Sequence, residues 1–211
     1  MSKLISFIGV LIAVLVLSVD SVSAEEAKYT VVHTDDIFEV RSYDSHILAE
    51  VTVQSDFEDA GGDAFRPLFN YISGNNINSQ KVSMTAPVSQ QGAGQKISMT
   101  SPVSQTGNDD FWVVSFMMPS EYSLDTLPTP LNPNVSLRLV PARYIASVKY
   151  SGFWSQDRYQ NHYSKLIEWV VDKNLMAVGE PVWARYNAPY TPWFLRRNEI
   201  LLPIEGINSY R

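Results

Sequence analysis

The chain has 211 residues, of which 45% are hydrophobic and 18% are charged, a composition typical of a globular protein able to bury a core. The formal net charge of -6 and the isoelectric point of about 5.0 disfavour a nucleic-acid-binding protein, whose surface is normally basic. The chain has no cysteine, which excludes disulfides, thiolate nucleophiles and thiolate metal sites.

The first 24 residues have the pattern of a secretory signal peptide. Lys3 precedes an uncharged run over residues 4–19, and small residues at 22–24 lie before two glutamates. The run is shorter than the roughly 20 residues that span a bilayer. We expect cleavage after Ala24, export to a periplasmic or extracellular location, and one mature domain over residues 25–211 without stable membrane insertion. An uncleaved anchor is the alternative.

The next part of the chain predicts strands followed by a helix. Residues rich in β-formers predict strands at 37–43 and 47–53. Apolar residues at three- and four-residue steps predict a helix over 56–72 that ends near Gly74. Because Gly61, Gly62 and Pro67 disfavour a regular helix, we expect it to be irregular or broken. Further strands are predicted around 81–88, 96–103 and 111–118.

The second half repeats this order. It predicts strands at 135–140 and 144–150, then a helix over 155–174 with Ser155 as its cap. Closing strands are predicted at 180–186 and 199–204. Two strand–helix–strand units predict an α+β fold in which two helices pack on an antiparallel sheet.

A ten-residue segment occurs twice. Residues 81–90 recur as 96–105 with eight of ten positions identical, and the glycine-containing stretch between the copies predicts a hairpin turn. The repeat places Met84 and Met99 at matching positions. Methionine either fills core gaps or forms adaptable binding surfaces, so both interpretations stay open.

Several motifs along the chain together form a specific signature. They are the two Met-Thr-x-Pro-Val copies and the segments at 38–43, 64–75, 116–119, 127–130, 150–153 and 196–199. With these motifs the chain resembles the SOUL haem-binding protein family over roughly residues 29–204. The resemblance implies an α+β fold built as a distorted antiparallel β-barrel or sheet with two flanking helices. It also implies a protein that binds haem or a related tetrapyrrole.

The resemblance further implies that porphyrin lies in an apolar groove beside the first helix. The residues it implicates are Arg66, Phe69, Asn70, Tyr71, Met84 and Met99. Arg66 is the candidate partner of the propionates, because a guanidinium binds a carboxylate bidentately. An ordinary solvated arginine is the alternative.

Axial iron ligation is the less favoured binding mode. Haem iron is held by His, Met, Cys or Tyr, and histidine occurs here only as His33, His46 and His162. Ser42 occupies the position at which some family members carry a ligating histidine. We therefore expect porphyrin binding through burial in the groove, without a strong axial protein ligand and with the metal ligand unassigned.

Motifs for catalysis are missing from the sequence. It has no nucleophile elbow, zinc-protease motif, P-loop or dinucleotide fingerprint, so we expect no enzymatic activity. For Arg196-Arg197-Asn198-Glu199 we expect a strand start with a local ion pair. The expected function is non-catalytic tetrapyrrole binding in the cell envelope. The alternatives are a binding module for other amphipathic small molecules and a ligand-free protein-interaction module.

Overall fold

The computed structural model describes residues 24–78, 94–108 and 111–205. Residues 1–23 of the predicted signal peptide, the strand around 81–88 and Met84 lie outside the described residues. Within those ranges the strands are β1 (Tyr29–Asp35), β2 (Phe38–Tyr43), β3 (His46–Gln54), β4 (Asn76–Ile77), β5 (Val103–Asn108), β6 (Phe111–Met117), β7 (Thr129–Pro130), β8 (Ser136–Val140), β9 (Arg143–Tyr150), β10 (Met176–Ala177), β11 (Val182–Arg185) and β12 (Asn198–Glu205). The helices are α1 (Ala60–Ile72) and α2 (Gln156–Asp172), with a short 3-10 turn at Trp193–Leu195.

One large antiparallel sheet dominates the molecule. Its strands follow the order β1-β2-β9-β12-β11-β5-β6-β3-β8, β10 pairs with β12, and β4 and β7 form a separate pair. The predicted α+β class, with an antiparallel sheet and two helices, is confirmed. Over the described ranges the end strands β1 and β8 do not pair with each other, so the sheet does not close into the barrel that the resemblance also implied.

The strands alternate apolar and polar residues, which gives the sheet an apolar face, and both helices pack on that face. In β3, Ala49 and Val51 are buried, whereas Glu50 between them is partly exposed. Helix α1 packs on β3 and β6, and α2 packs on β9 and β12. The core therefore joins residues from both halves of the chain, among them Leu68 of α1 and Leu166 of α2, which are fully buried.

Helix α1 is continuous, so the expectation of an irregular or broken helix is wrong. Pro67 lies in its interior and lacks only the bond to the carbonyl of Asp63, four residues earlier in the first turn. Gly61 and Gly62 lie in that same first turn, outside the helix interior in which glycine costs about 1 kcal/mol relative to alanine. The predicted stop is confirmed, because Gly74 follows the C-cap with a φ of 112°.

Helix α2 begins as the sequence predicts. Ser155 is its N-cap, and the Ser155 Oγ accepts a hydrogen bond from the Arg158 N–H at 3.4 Å. No helix in the described ranges is long and apolar enough to cross a membrane.

The second copy of the ten-residue repeat is less regular than predicted. Residues 94–100 form no strand, and β5 begins only at Val103. Two isolated backbone hydrogen bonds fix this segment. The Ile97 N–H donates to the Ile72 carbonyl at 2.7 Å, and the Ser101 N–H donates to the Glu25 carbonyl at 2.8 Å. The segment therefore runs beside α1 instead of extending the sheet.

Candidate functional site

A cleft of about 780 Å³ opens beside the first turn of α1. We call it the α1 cleft; its other walls are the segment 99–103, Trp154 and the loop 186–190. Its lining is mainly apolar, with contributions from Phe65, Met99, Val103, Trp154, Tyr186 and Tyr190. A second cavity of about 650 Å³ lies near residues 25–28 and is lined by several charged and polar side chains. The α1 cleft, unlike this second cavity, has the aromatic walls and the size typical of a small-molecule site.

Arg185 is the charged residue buried in the wall of the α1 cleft. Only 8% of the residue is exposed, and its guanidinium lies over the rings of Trp183 at 4.7 Å and Trp154 at 5.3 Å. Its Nη2 donates to Gln105 Oε1 at 3.2 Å, whereas its Nε has no hydrogen-bond partner among the described residues. Burial lowers the pKa of Arg185 to about 10, so the group is still a cation at neutral pH.

Two glycines of α1 shape this part of the cleft. A Cβ atom on Gly61 would lie 2.1 Å from Arg185 Nη2, so a larger residue here would have to displace the guanidinium from its position. A Cβ atom on Gly62 would have no heavy atom within 4 Å, and Gly62 also lines the cleft. Gly61 therefore leaves space for the Arg185 side chain, and Gly62 leaves space in the cleft.

Residues near the end of the chain orient Trp154. The Trp154 Nε1 donates to Asn198 Oδ1 at 2.8 Å, and Asn198 is fully buried. The guanidinium of Arg196 lies 4.4 Å from the centre of the Trp154 ring. Because Arg196 also donates to the carbonyls of Thr191 and Pro189, it fixes the loop that forms one wall of the cleft.

Glu199, which follows Asn198 in β12, belongs to a buried charge network. Its carboxylate accepts from Arg41 Nη1 at 2.6 Å and from Arg197 Nε at 2.9 Å, and Arg197 also pairs with Glu26. The expected local ion pair, Arg197 with Glu199, is present, but it is one part of a network that reaches across β2, β9 and β12. Burial raises the pKa of Glu199, and the opposing hydrogen bonds and charges of Arg41 and Arg197 bring it below its ordinary value.

A family model described as SOUL heme-binding protein matches residues 24–203. The chain belongs to the SOUL heme-binding protein family. Comparison with curated proteins gives no match.

Solved structures share the fold of this SOUL-family chain at low sequence identity. The C-terminal domain of EcmrR aligns with a TM-score of 0.55 and 14% identity over 84% of this chain and 98% of that chain. A hydrolase from Listeria innocua aligns with a TM-score of 0.52 and 10% identity over 82% of this chain and 94% of that chain. At these identities the likeness establishes the fold alone.

The structure places the residues that the resemblance implicated in three different environments. Met99 lines the α1 cleft, and Phe69 stacks on the cleft residue Phe65 with ring centres 5.6 Å apart. Arg66 and Asn70 are exposed on α1 and do not line the cleft. Tyr71 is 1% exposed and donates to the Pro128 carbonyl at 2.8 Å, so it belongs to the core. Ligand-binding roles for these residues stay predictions.

The three histidines lie away from the α1 cleft. His33 stacks against Trp169 with ring centres 6.5 Å apart, and His46 Nδ1 lies 3.0 Å from the Asp44 carbonyl. His162 stacks on Tyr150 at 4.0 Å, and burial lowers its pKa. None of the three is among the residues that line the cleft.

Arg185 and Trp154 were missed by the sequence analysis, although one signal pointed to Arg185. In a strand, alternate residues face the same side, so Arg185 of β11 shares a face with Trp183, which is 1% exposed. An arginine at such a core-facing position is rarely buried without a partner. Nothing local in the sequence marks Trp154, because its neighbours Arg185, Arg196 and Asn198 are at least 31 positions away in the chain.

Proposed function

We propose that this chain is an exported, non-catalytic protein that binds haem or a related tetrapyrrole in the α1 cleft. The family description supports the ligand class. The observation that carries the proposal is an apolar, aromatic-walled cleft of about 780 Å³ beside α1. This volume lies within the roughly 300–1,000 Å³ of small-molecule sites.

Burial of the macrocycle is the expected source of affinity. Apolar surface removed from water contributes ~25 cal/mol per Å², and a flat porphyrin offers a large area to Phe65, Trp154 and Tyr190. The histidines do not line the cleft, which supports a mechanism in which the protein holds the macrocycle by burial and not through axial histidine ligation. Met99 also lines the cleft, and its flexible thioether serves as an apolar contact.

The test is a paired titration of the mature protein with hemin and iron-free protoporphyrin IX, followed by absorption and tryptophan fluorescence. We expect both to bind, with affinities within about tenfold, or ~1.4 kcal/mol. Replacing His33, His46 and His162 together by Ala, or Met99 by Leu, should leave most hemin affinity intact. Loss of hemin but not protoporphyrin binding in the triple variant would establish histidine ligation and overturn the groove mechanism. If the wild type binds neither compound, the proposal is wrong.

The location of the ligand is tested separately by filling the cleft. Gly62→Phe places a ring into open space within the α1 cleft and should weaken hemin and protoporphyrin alike, by at least tenfold. The matched control is Ser164→Phe, at an exposed position of α2 that does not line the cleft. Equal affinities in the two variants would place the porphyrin elsewhere.

A further inference from the structure

Arg185 departs from the usual pairing of buried charges. Buried arginines normally carry a carboxylate partner, because an unpaired charge is costly to remove from water. Only 8% of Arg185 is exposed to solvent. Among the described residues, no carboxylate forms an ion pair with it. We propose that the missing partner is a carboxylate of the bound ligand, held by Arg185 inside the α1 cleft.

The guanidinium is well placed for this role. It lines the cleft, its Nε has no partner among the described residues, and the rings of Trp154 and Trp183 confine its plane. A guanidinium has five N–H donors in a planar fork that matches the two oxygens of a carboxylate. Gln105 accepts a hydrogen bond from Nη2 alone, so the guanidinium keeps further N–H donors for a ligand carboxylate.

The surroundings favour an anion at this point. The first turn of α1 lines the cleft through Gly61 and Gly62, and a helix N-terminus carries partial positive charge. Among the described lining residues the acidic side chain is Glu58, whose Oε1 already accepts a hydrogen bond from the Gln156 N–H at 3.0 Å. The second nearby arginine, Arg196, has its Nε and Nη2 bonded to carbonyls of the loop, so it positions the wall and leaves Arg185 to meet the ligand.

These features define the ligand class more narrowly than the proposed function, on which this inference rests. The ligand is an amphipathic molecule whose carboxylate enters the cleft first, toward Arg185, while its apolar body lies against Phe65, Met99 and Tyr190. For a porphyrin, this means that one propionate points inward. The exposed Arg66, which the family resemblance implicated, is then not required for recognition.

The experiment compares protoporphyrin IX with its dimethyl ester, which keeps the macrocycle and removes both carboxylates. The wild type should bind the free acid at least tenfold more tightly than the ester, a comparison that needs no variant. Arg185→Gln should lose this preference while its ester affinity stays within about threefold of the wild type, and Arg185→Lys should retain part of it.

The matched control is Arg138→Gln, which makes the same charge change at an exposed arginine paired with Glu50, outside the α1 cleft. It should keep the full preference for the acid. Circular dichroism of each variant confirms that it is folded. If the wild type binds acid and ester equally, or if Arg66→Gln removes the preference and Arg185→Gln does not, the assignment of Arg185 is wrong although the proposed function stands.

If the proposed function is wrong, the titrations give a different result from the one expected if only the assignment of Arg185 is wrong. If neither porphyrin binds, dodecanoate and methyl dodecanoate replace them as a second acid and ester pair. A preference for dodecanoate that depends on Arg185 would support the carboxylate anchor without a tetrapyrrole. No binding of either fatty compound would overturn both proposals.

Discussion

The carboxylate of Glu199 shows how one residue depends on partners from distant strands. It is fully buried and accepts hydrogen bonds from Arg41 and Arg197. Burial alone disfavours the charged form, but the two guanidinium groups outweigh it and hold the pKa below its ordinary value of 4.5. Ionised Glu199 therefore stabilises the fold at neutral pH.

We expect Glu199→Gln to lower the free energy of unfolding by about 3 kcal/mol at pH 7, because breaking a buried pair leaves an uncompensated charge. A carboxyl whose pKa is lower in the folded state contributes stability above its unfolded pKa and loses it as the pH falls through the folded value. The difference between wild type and variant should thus shrink below about pH 4, as measured by urea denaturation. Glu205→Gln, at an exposed carboxylate of the same strand, is the control and should change stability by less than about 0.5 kcal/mol. A difference that stays constant with pH would contradict this account.

At the scale of elements, the first turn of α1 carries adjacent glycines with opposite surroundings. Gly62→Ala adds a methyl group in open space and should stabilise the protein by about 0.4–1 kcal/mol, since alanine restricts the unfolded chain. Gly61→Ala should destabilise it, because the new Cβ would lie 2.1 Å from Arg185 Nη2, which Trp154 and Trp183 confine. Urea midpoints of the two variants measure the contrast. Equal stabilities would mean that Arg185 moves aside freely.

Sequence patterns predicted most of the regular elements but not all of them. Helices α1 and α2 and most central strands have clear apolar periodicity, because each packs one face on the core. Strand β1 was not predicted, since it pairs only with β2 at the edge of the sheet and its burial does not alternate regularly. The predicted strand over 96–103 was wrong except at its last residue, where β5 begins, because contacts with Ile72 and Glu25 hold that segment instead.

At the scale of the whole molecule, the export proposal places the boundary of the mature chain at Ala24. Cleavage there would retain the contacts of Glu25 with Ser101 and Ser120, and of Glu26 with Arg197. We expect the mature protein to begin at Glu25, which N-terminal sequencing of the envelope fraction measures. Recovery of an intact Met1 end in membranes would contradict the proposal and favour the uncleaved anchor.

The sequence by itself determined the fold class, the family and the position of both helices, because these depend on periodicity and motifs that neighbouring residues carry. The family resemblance also predicted a ligand beside α1, where the α1 cleft lies. Only the tertiary structure decided that Tyr71 belongs to the core and that Arg185 lines the cleft. The physical reason is that burial and charge pairing at Arg185 depend on Gly61, Gln105 and Trp154, which the chain brings together from distant positions.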